Sequence, residues 1–152
     1  MHIHRCGPGL SAVAVLFATA SIAAGHVRIT PPESAPGATQ RYTMRVPTER
    51  DTPTVRIELE CPPDVTLVSF EEVTGWKIEQ KKDSQGKITG AVWSGGPIPF
   101  AEYREFHFDA KNPATEAKLE WKVVQIYQDG TRSEWTGPEN SRTPSPVTTI
   151  KK

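Results

Sequence analysis

The chain has 152 residues, with 18 Lys and Arg against 18 Asp and Glu, four His and two Cys. That length holds one ordinary domain, and the charge balance gives no basic face for a nucleic-acid partner. With 14 Pro and 11 Gly, breakers such as Pro31-Pro32, Pro62-Pro63, Gly95-Gly96-Pro97 and Asn112-Pro113 leave no window for a long amphipathic helix.

The chain opens as a secretory leader does. Met1 to Arg5 is short and basic. From Leu10 the run LSAVAVLFATASIAA is apolar and small, too short to span a bilayer comfortably. Ala23-Ala24-Gly25 then supplies the small residues of a cleavage site. Residues 1–25 are therefore expected to be a signal peptide, and the product to begin at His26. No later stretch is long and apolar enough to cross a membrane. The mature chain is expected to be periplasmic or secreted, without a membrane span. Cys6 leaves with the leader, so Cys61 has no partner for an internal disulfide. At an apolar beat of a strand pattern it reads as a buried, inert thiol.

Past the leader the apolar residues alternate. In RYTMRVP, Tyr42, Met44 and Val46 share one face. In VRIELEC, Val55, Ile57, Leu59 and Cys61 do, with Arg56, Glu58 and Glu60 opposite. Period two is the pattern of a half-buried strand. Further strand runs are VTLVSF (65–70), WKIEQK (76–81), ITGAVWS (88–94), EYREFHF (102–108), KLEWKVVQIYQ (118–128) and TRSEW (131–135). Asp129-Gly130 marks a tight hairpin between the last two, and Ser84-Gln85-Gly86 marks another turn. Eight or nine short strands in this length point to an all-β, two-sheet β-sandwich, immunoglobulin-like or cupredoxin-like. Trp76, Trp93 and Trp121 read as core or sheet-face residues. Residues 26–138 are expected to form the domain. Residues 139–152, ENSRTPSPVTTIKK, read as a polar, Pro-containing tail.

Hydrolytic chemistry finds no footing. There is no GxSxG, HExxH, CxxC or phosphate loop, and after the leader only His26 and His107 remain. A first-residue histidine offers something else. Its α-amine and imidazole Nδ1 can close a six-membered ring on one metal ion. Neutral nitrogen donors suit Cu(II) best among the first-row divalent ions. A free α-amine titrates at about 7.7–8.0, so a metal displaces its proton at modest cost near neutral pH. Two nitrogens bind loosely, and a carboxylate is the natural further donor. Glu33, in PPES, is close to His26 in sequence. Taken alone, these residues equally allow a solvated histidine that merely follows a leader.

HVRITPPES, YTMRVPTERDTPTVRIELECP, GWKIE, ITGAVWSGGPIP, EYREFHF and VVQIYQDGTRSEW occur here in a fixed order and spacing. Together they resemble the YcnI-like family of secreted copper-binding domains, from His26 to about Trp135. The resemblance implies a β-sandwich holding one Cu(II) per chain through the N-terminal His, a Glu and a nearby Trp. Carried onto this sequence, the His is His26 and the Glu falls in EYREFHF. Glu105 is the first choice there and Glu102 the second. The Trp is Trp135, which has no good lone pair for Cu(II) and reads as a wall that shields the site or as an oxidisable neighbour. His107, two residues after Glu105 and on the same strand face, raises the alternative of a two-histidine brace. The implied role is non-enzymatic: copper homeostasis in the cell envelope, as a metallochaperone handing the ion to another cuproprotein or a copper transporter. The alternatives are a copper oxidase or monooxygenase-like enzyme and a metal-free envelope interaction module.

Overall fold

The computed structural model describes residues 25–152; the leader expected at residues 1–25 lies outside them except for Gly25. Twelve strands and no helix occur among the described residues. They are β1 (Arg28–Thr30), β2 (Glu33–Ser34), β3 (Thr39–Pro47), β4 (Thr54–Glu60), β5 (Thr66–Phe70), β6 (Trp76–Lys82), β7 (Ile88–Ile98), β8 (Tyr103–Lys111), β9 (Ala117–Glu120), β10 (Lys122–Tyr127), β11 (Arg132–Trp135) and β12 (Val147–Ile150). A four-stranded sheet runs β1-β3-β8-β5, a five-stranded sheet β11-β10-β4-β7-β6, and a small third sheet β2-β12-β9. This is an all-β sandwich.

Alternation decides which face is buried. Tyr42, Met44 and Val46 of β3 and Phe106 and Phe108 of β8 point inward, as do Ile57 and Leu59 of β4 and Trp93 of β7. The two large sheets meet through aromatic side chains. Trp93 lies 5.4 Å from Phe106, and Trp121 packs edge-on against Tyr42 at 5.1 Å and Phe108 at 5.6 Å. Offset and edge-to-face rings of this kind add to the large area each side chain buries. Trp76, Trp93 and Trp121 are all core residues, in line with the sequence. Val55 departs from it: a register shift at the start of β4 turns Thr54 inward instead and leaves Val55 half-buried.

The hairpins form where the turn residues stand. Gly130 has φ of 83°, a conformation that costs glycine nothing, and the Asp129 carboxylate accepts from the Thr131 amide and hydroxyl. This joins β10 to β11.

The structure corrects the sequence reading in two further places. KLEWKVVQIYQ is not one strand. It divides at Trp121, and β9 pairs with β12 while β10 pairs with β4. Trp121 is fully buried, its indole N–H donates to Thr148 Oγ1 and its backbone N–H to Pro146 O. That anchorage lets the chain step from one sheet to another. The segment 139–152, expected to trail away as a tail, is built into the fold. Its β12 pairs antiparallel with β9 and parallel with β2, and Ile150 is 1% exposed. The Pro-rich spelling before Val147 hid a strand of only four residues, VTTI.

Candidate metal centre

β1 and β11 are edge strands of opposing sheets. His26 lies two residues ahead of β1, and Trp135 ends β11. Their rings meet, with centroids 5.6 Å apart and planes at 58°. The pair therefore sits where the two sheets open along one side of the sandwich. Trp135 is buried, and its Nε1–H donates to Gln125 Oε1 at 3.1 Å. That bond fixes the indole beside His26, which is half-buried.

A carboxylate is already there. The Glu49 side chain lies directly against Gly25, filling the space that a Cβ on residue 25 would need. Gly25 is the residue whose removal would free the His26 nitrogen. Glu49 follows the end of β3, where Thr48 pairs through its backbone with Glu102 O and Ala101 N. That pairing turns the chain outward and leaves Glu49 exposed at the mouth of the sandwich. Nothing in the sequence singled out Glu49. It stands 23 residues from His26 in a polar turn, TERDT, that reads as ordinary loop.

The other candidates are dispersed. Glu105 lies on β8 between Tyr103 and the inward-facing Phe106, with its side chain on the outward face of the four-stranded sheet. One strand, β3, separates it from the line of β1, through the register Arg28, Arg45, Glu105. Its carboxylate is 3.9 Å from His107 Nε2, and His107 Nδ1 is hydrogen-bonded to Thr43 Oγ1 at 2.9 Å. Glu105 and His107 are thus neighbours of each other, on the face opposite the core that holds Trp135. Glu33 is engaged by Lys151 Nζ at 2.6 Å on the third sheet. Glu102 stays near: with Glu49, Arg45 and Tyr103 it lines a shallow cavity of about 170 Å³. A larger cavity, about 540 Å³, lies on the outward face of the five-stranded sheet and is lined by neither His26 nor Glu49. Its Glu58, Glu60, Lys81 and Lys122 pair with one another and read as a solvated charged face.

Among the described residues, no three His, Cys, Asp or Glu side chains gather into one metal-holding group. The cluster at the sandwich mouth holds one imidazole and one carboxylate, walled by an indole. Its donor chemistry suits a tetragonal, nitrogen- and oxygen-preferring ion such as Cu(II) once a third donor is added. With Gly25 attached, the His26 nitrogen is an amide. After cleavage it would be an amine, beside the carboxylate.

Fold and site together define an immunoglobulin-like β-sandwich with a histidine, a carboxylate and a tryptophan at one open side. More particularly, the chain belongs to the family described as a domain of unknown function, DUF1775, the YcnI family, whose model matches residues 26–151. The copper-binding protein CutI of Bacillus subtilis (strain 168) is 39% identical over 138 residues, 90% of this chain and 67% of that protein. An uncharacterized protein of Nocardia farcinica with an immunoglobulin-like fold superposes with a TM-score of 0.74 at 23% identity, over 84% of this chain and 99% of that one. A cohesin module from a Clostridium perfringens family 33 glycoside hydrolase does so at 0.54 and 14%, over 84% and 96%. These two structures bear on the fold alone.

Proposed function

We propose that this protein is exported, cut between Gly25 and His26, and then binds one Cu(II) at its new N-terminus as a non-enzymatic copper carrier of the cell envelope. His26 supplies amine and imidazole. Glu49 supplies the anionic oxygen, in place of the Glu105 that the sequence favoured. Trp135 walls one side and keeps water from it. The observation that carries this reading is the Glu49 carboxylate lying against Gly25 while the His26 ring rests on Trp135. Membership in a family with a copper-binding relative supports the choice of metal. A site with few protein donors exchanges its ion more readily than a closed four-ligand one. That favours handing copper to another envelope cuproprotein or a transporter over storage.

Mass spectrometry of the exported protein should find His26 first. Cu(II) titration should saturate at one equivalent, with an electron paramagnetic resonance spectrum showing few nitrogens. A form that retains Gly25 should lose tight binding, because its residue-26 nitrogen is an amide. Equal binding by both forms, or no uptake by the processed form, would overturn the proposal.

A further inference from the structure

Gln125 occupies a place where β10 calls for an apolar side chain. Its inward neighbours on that strand are Val123 and Tyr127, and Gln125 is fully buried. Burying a carboxamide costs stability unless every polar atom finds a partner, and here each one does. Oε1 accepts from Trp135 Nε1–H at 3.1 Å, while Nε2 donates to Pro47 O and to Thr54 Oγ1, both at 2.7 Å. The Thr54 hydroxyl is bonded in turn to Thr48 Oγ1 at 2.6 Å. The orientation of the amide follows from its partners. Indole N–H is a donor only and the Pro47 carbonyl an acceptor only, so a flipped carboxamide would lose both bonds.

These partners belong to both halves of the candidate site. Trp135 is on the five-stranded sheet. Pro47 ends β3 of the four-stranded sheet, and Thr48 leads directly into Glu49. We propose that Gln125 is the positioning residue of the metal centre. One buried carboxamide fixes the indole that faces His26 and, at the same time, the corner that presents the Glu49 carboxylate. It touches no metal donor itself and acts through Trp135 and the Pro47–Glu49 backbone. The inference rests on the copper reading above and names what holds that site in shape. Groups that orient a metal site from behind commonly change affinity by about 10–100-fold when lost.

The test compares the processed wild-type protein with Gln125→Met, which keeps the side chain's length and removes all three hydrogen bonds. In the metal-free state, the Trp135 indole N–H resonance, assigned by its absence in Trp135→Phe, should move and exchange faster with solvent. Titrated with Cu(II), Gln125→Met should still take one equivalent, with affinity lower by about tenfold or more and an altered electron paramagnetic resonance spectrum. Should Gln125→Met fail to fold, Thr54→Val carries the test, since it removes one anchor of the carboxamide at unchanged volume. It should shift the same signals in the same direction by less. A folded variant with wild-type affinity, spectrum and indole resonance overturns the inference alone. Failure of the processed wild-type protein to take up copper overturns the reading beneath it, and the inference with it.

Discussion

Replacing Glu49 by Gln removes one negative charge and keeps the side-chain shape, so its effect on Cu(II) binding can be worked from position. Two unit charges about 4 Å apart interact by about 1 kcal/mol at the dielectric of water. Glu49 is exposed, so that screened value is the proper scale. A monoanion facing a dication is then worth about 2 kcal/mol, about a thirtyfold rise in Kd when it is neutralised. Glu105 provides the contrast. It lies two strand spacings from β1, roughly 10 Å, and beyond a Debye length of about 8 Å at physiological salt. Only about 0.2 kcal/mol survives there, less than a twofold change. Competition titration of the processed protein against a calibrated Cu(II) chelator reads both numbers. A thirtyfold loss in Glu105→Gln with none in Glu49→Gln would refute the placement of the carboxylate.

Three further outcomes follow from the fold. Ile150→Ala should lower stability by about 2–5 kcal/mol, since the side chain is 1% exposed in the core; a urea midpoint within error of wild type would show that β12 is not held. Burial pushes the Cys61 thiol up to about 11, and its Sγ–H donates to Val65 O; iodoacetamide at pH 8 should therefore leave the native protein unlabelled and label it in urea. The Glu58 carboxyl is held below its ordinary value of 4.5, first by the hydrogen bond from Arg56. A depressed carboxylate stabilises the fold above its unfolded pKa and loses that contribution as pH falls through the folded value. Glu58→Gln should therefore be slightly less stable than wild type at pH 7, and the gap should close in acid. A constant gap in urea midpoints from pH 7 down to the acid limit would rule this out.

What the sequence disclosed and what it withheld differ for physical reasons. Strands such as β3 and β8 announce themselves because alternation over nine residues has no competing explanation. The β10–β11 hairpin is equally plain, since Asp129-Gly130 leaves the backbone few other choices. β1, β2 and β12 are two to four residues long, too short for any period to register. β1 exists because the nine-residue β3 offers it an edge, whereas β2 and β12 pair with each other and β12 with the equally short β9. At the site, His26 is legible through the leader expected before it, and Trp135 through the family resemblance. The fold brings their rings to 5.6 Å of each other. Glu49 was hidden because its proximity to Gly25 is made by the return of β3 alongside β1, a long-range pairing that no local pattern encodes. Gln125 did leave a mark: it is a polar residue on the inward beat of VVQIY. Such a residue in a strand core needs partners, and finding them leads to Trp135.

The parallel rung between β2 and β12, Glu33 with Thr149 and Ser34 with Ile150, joins almost the first described residues to almost the last. Thr149 also donates its backbone N–H to Pro32 O, and Thr148 its hydroxyl to Pro31 O. A polypeptide made from its N-terminus cannot close that rung until Val147–Ile150 has been added. β1 can pair with β3 early, but β2 stays unlatched until β12 exists. Truncation ahead of Val147 would leave β2 without its partner and bare one edge of β9, a far greater loss than so short a strand would suggest.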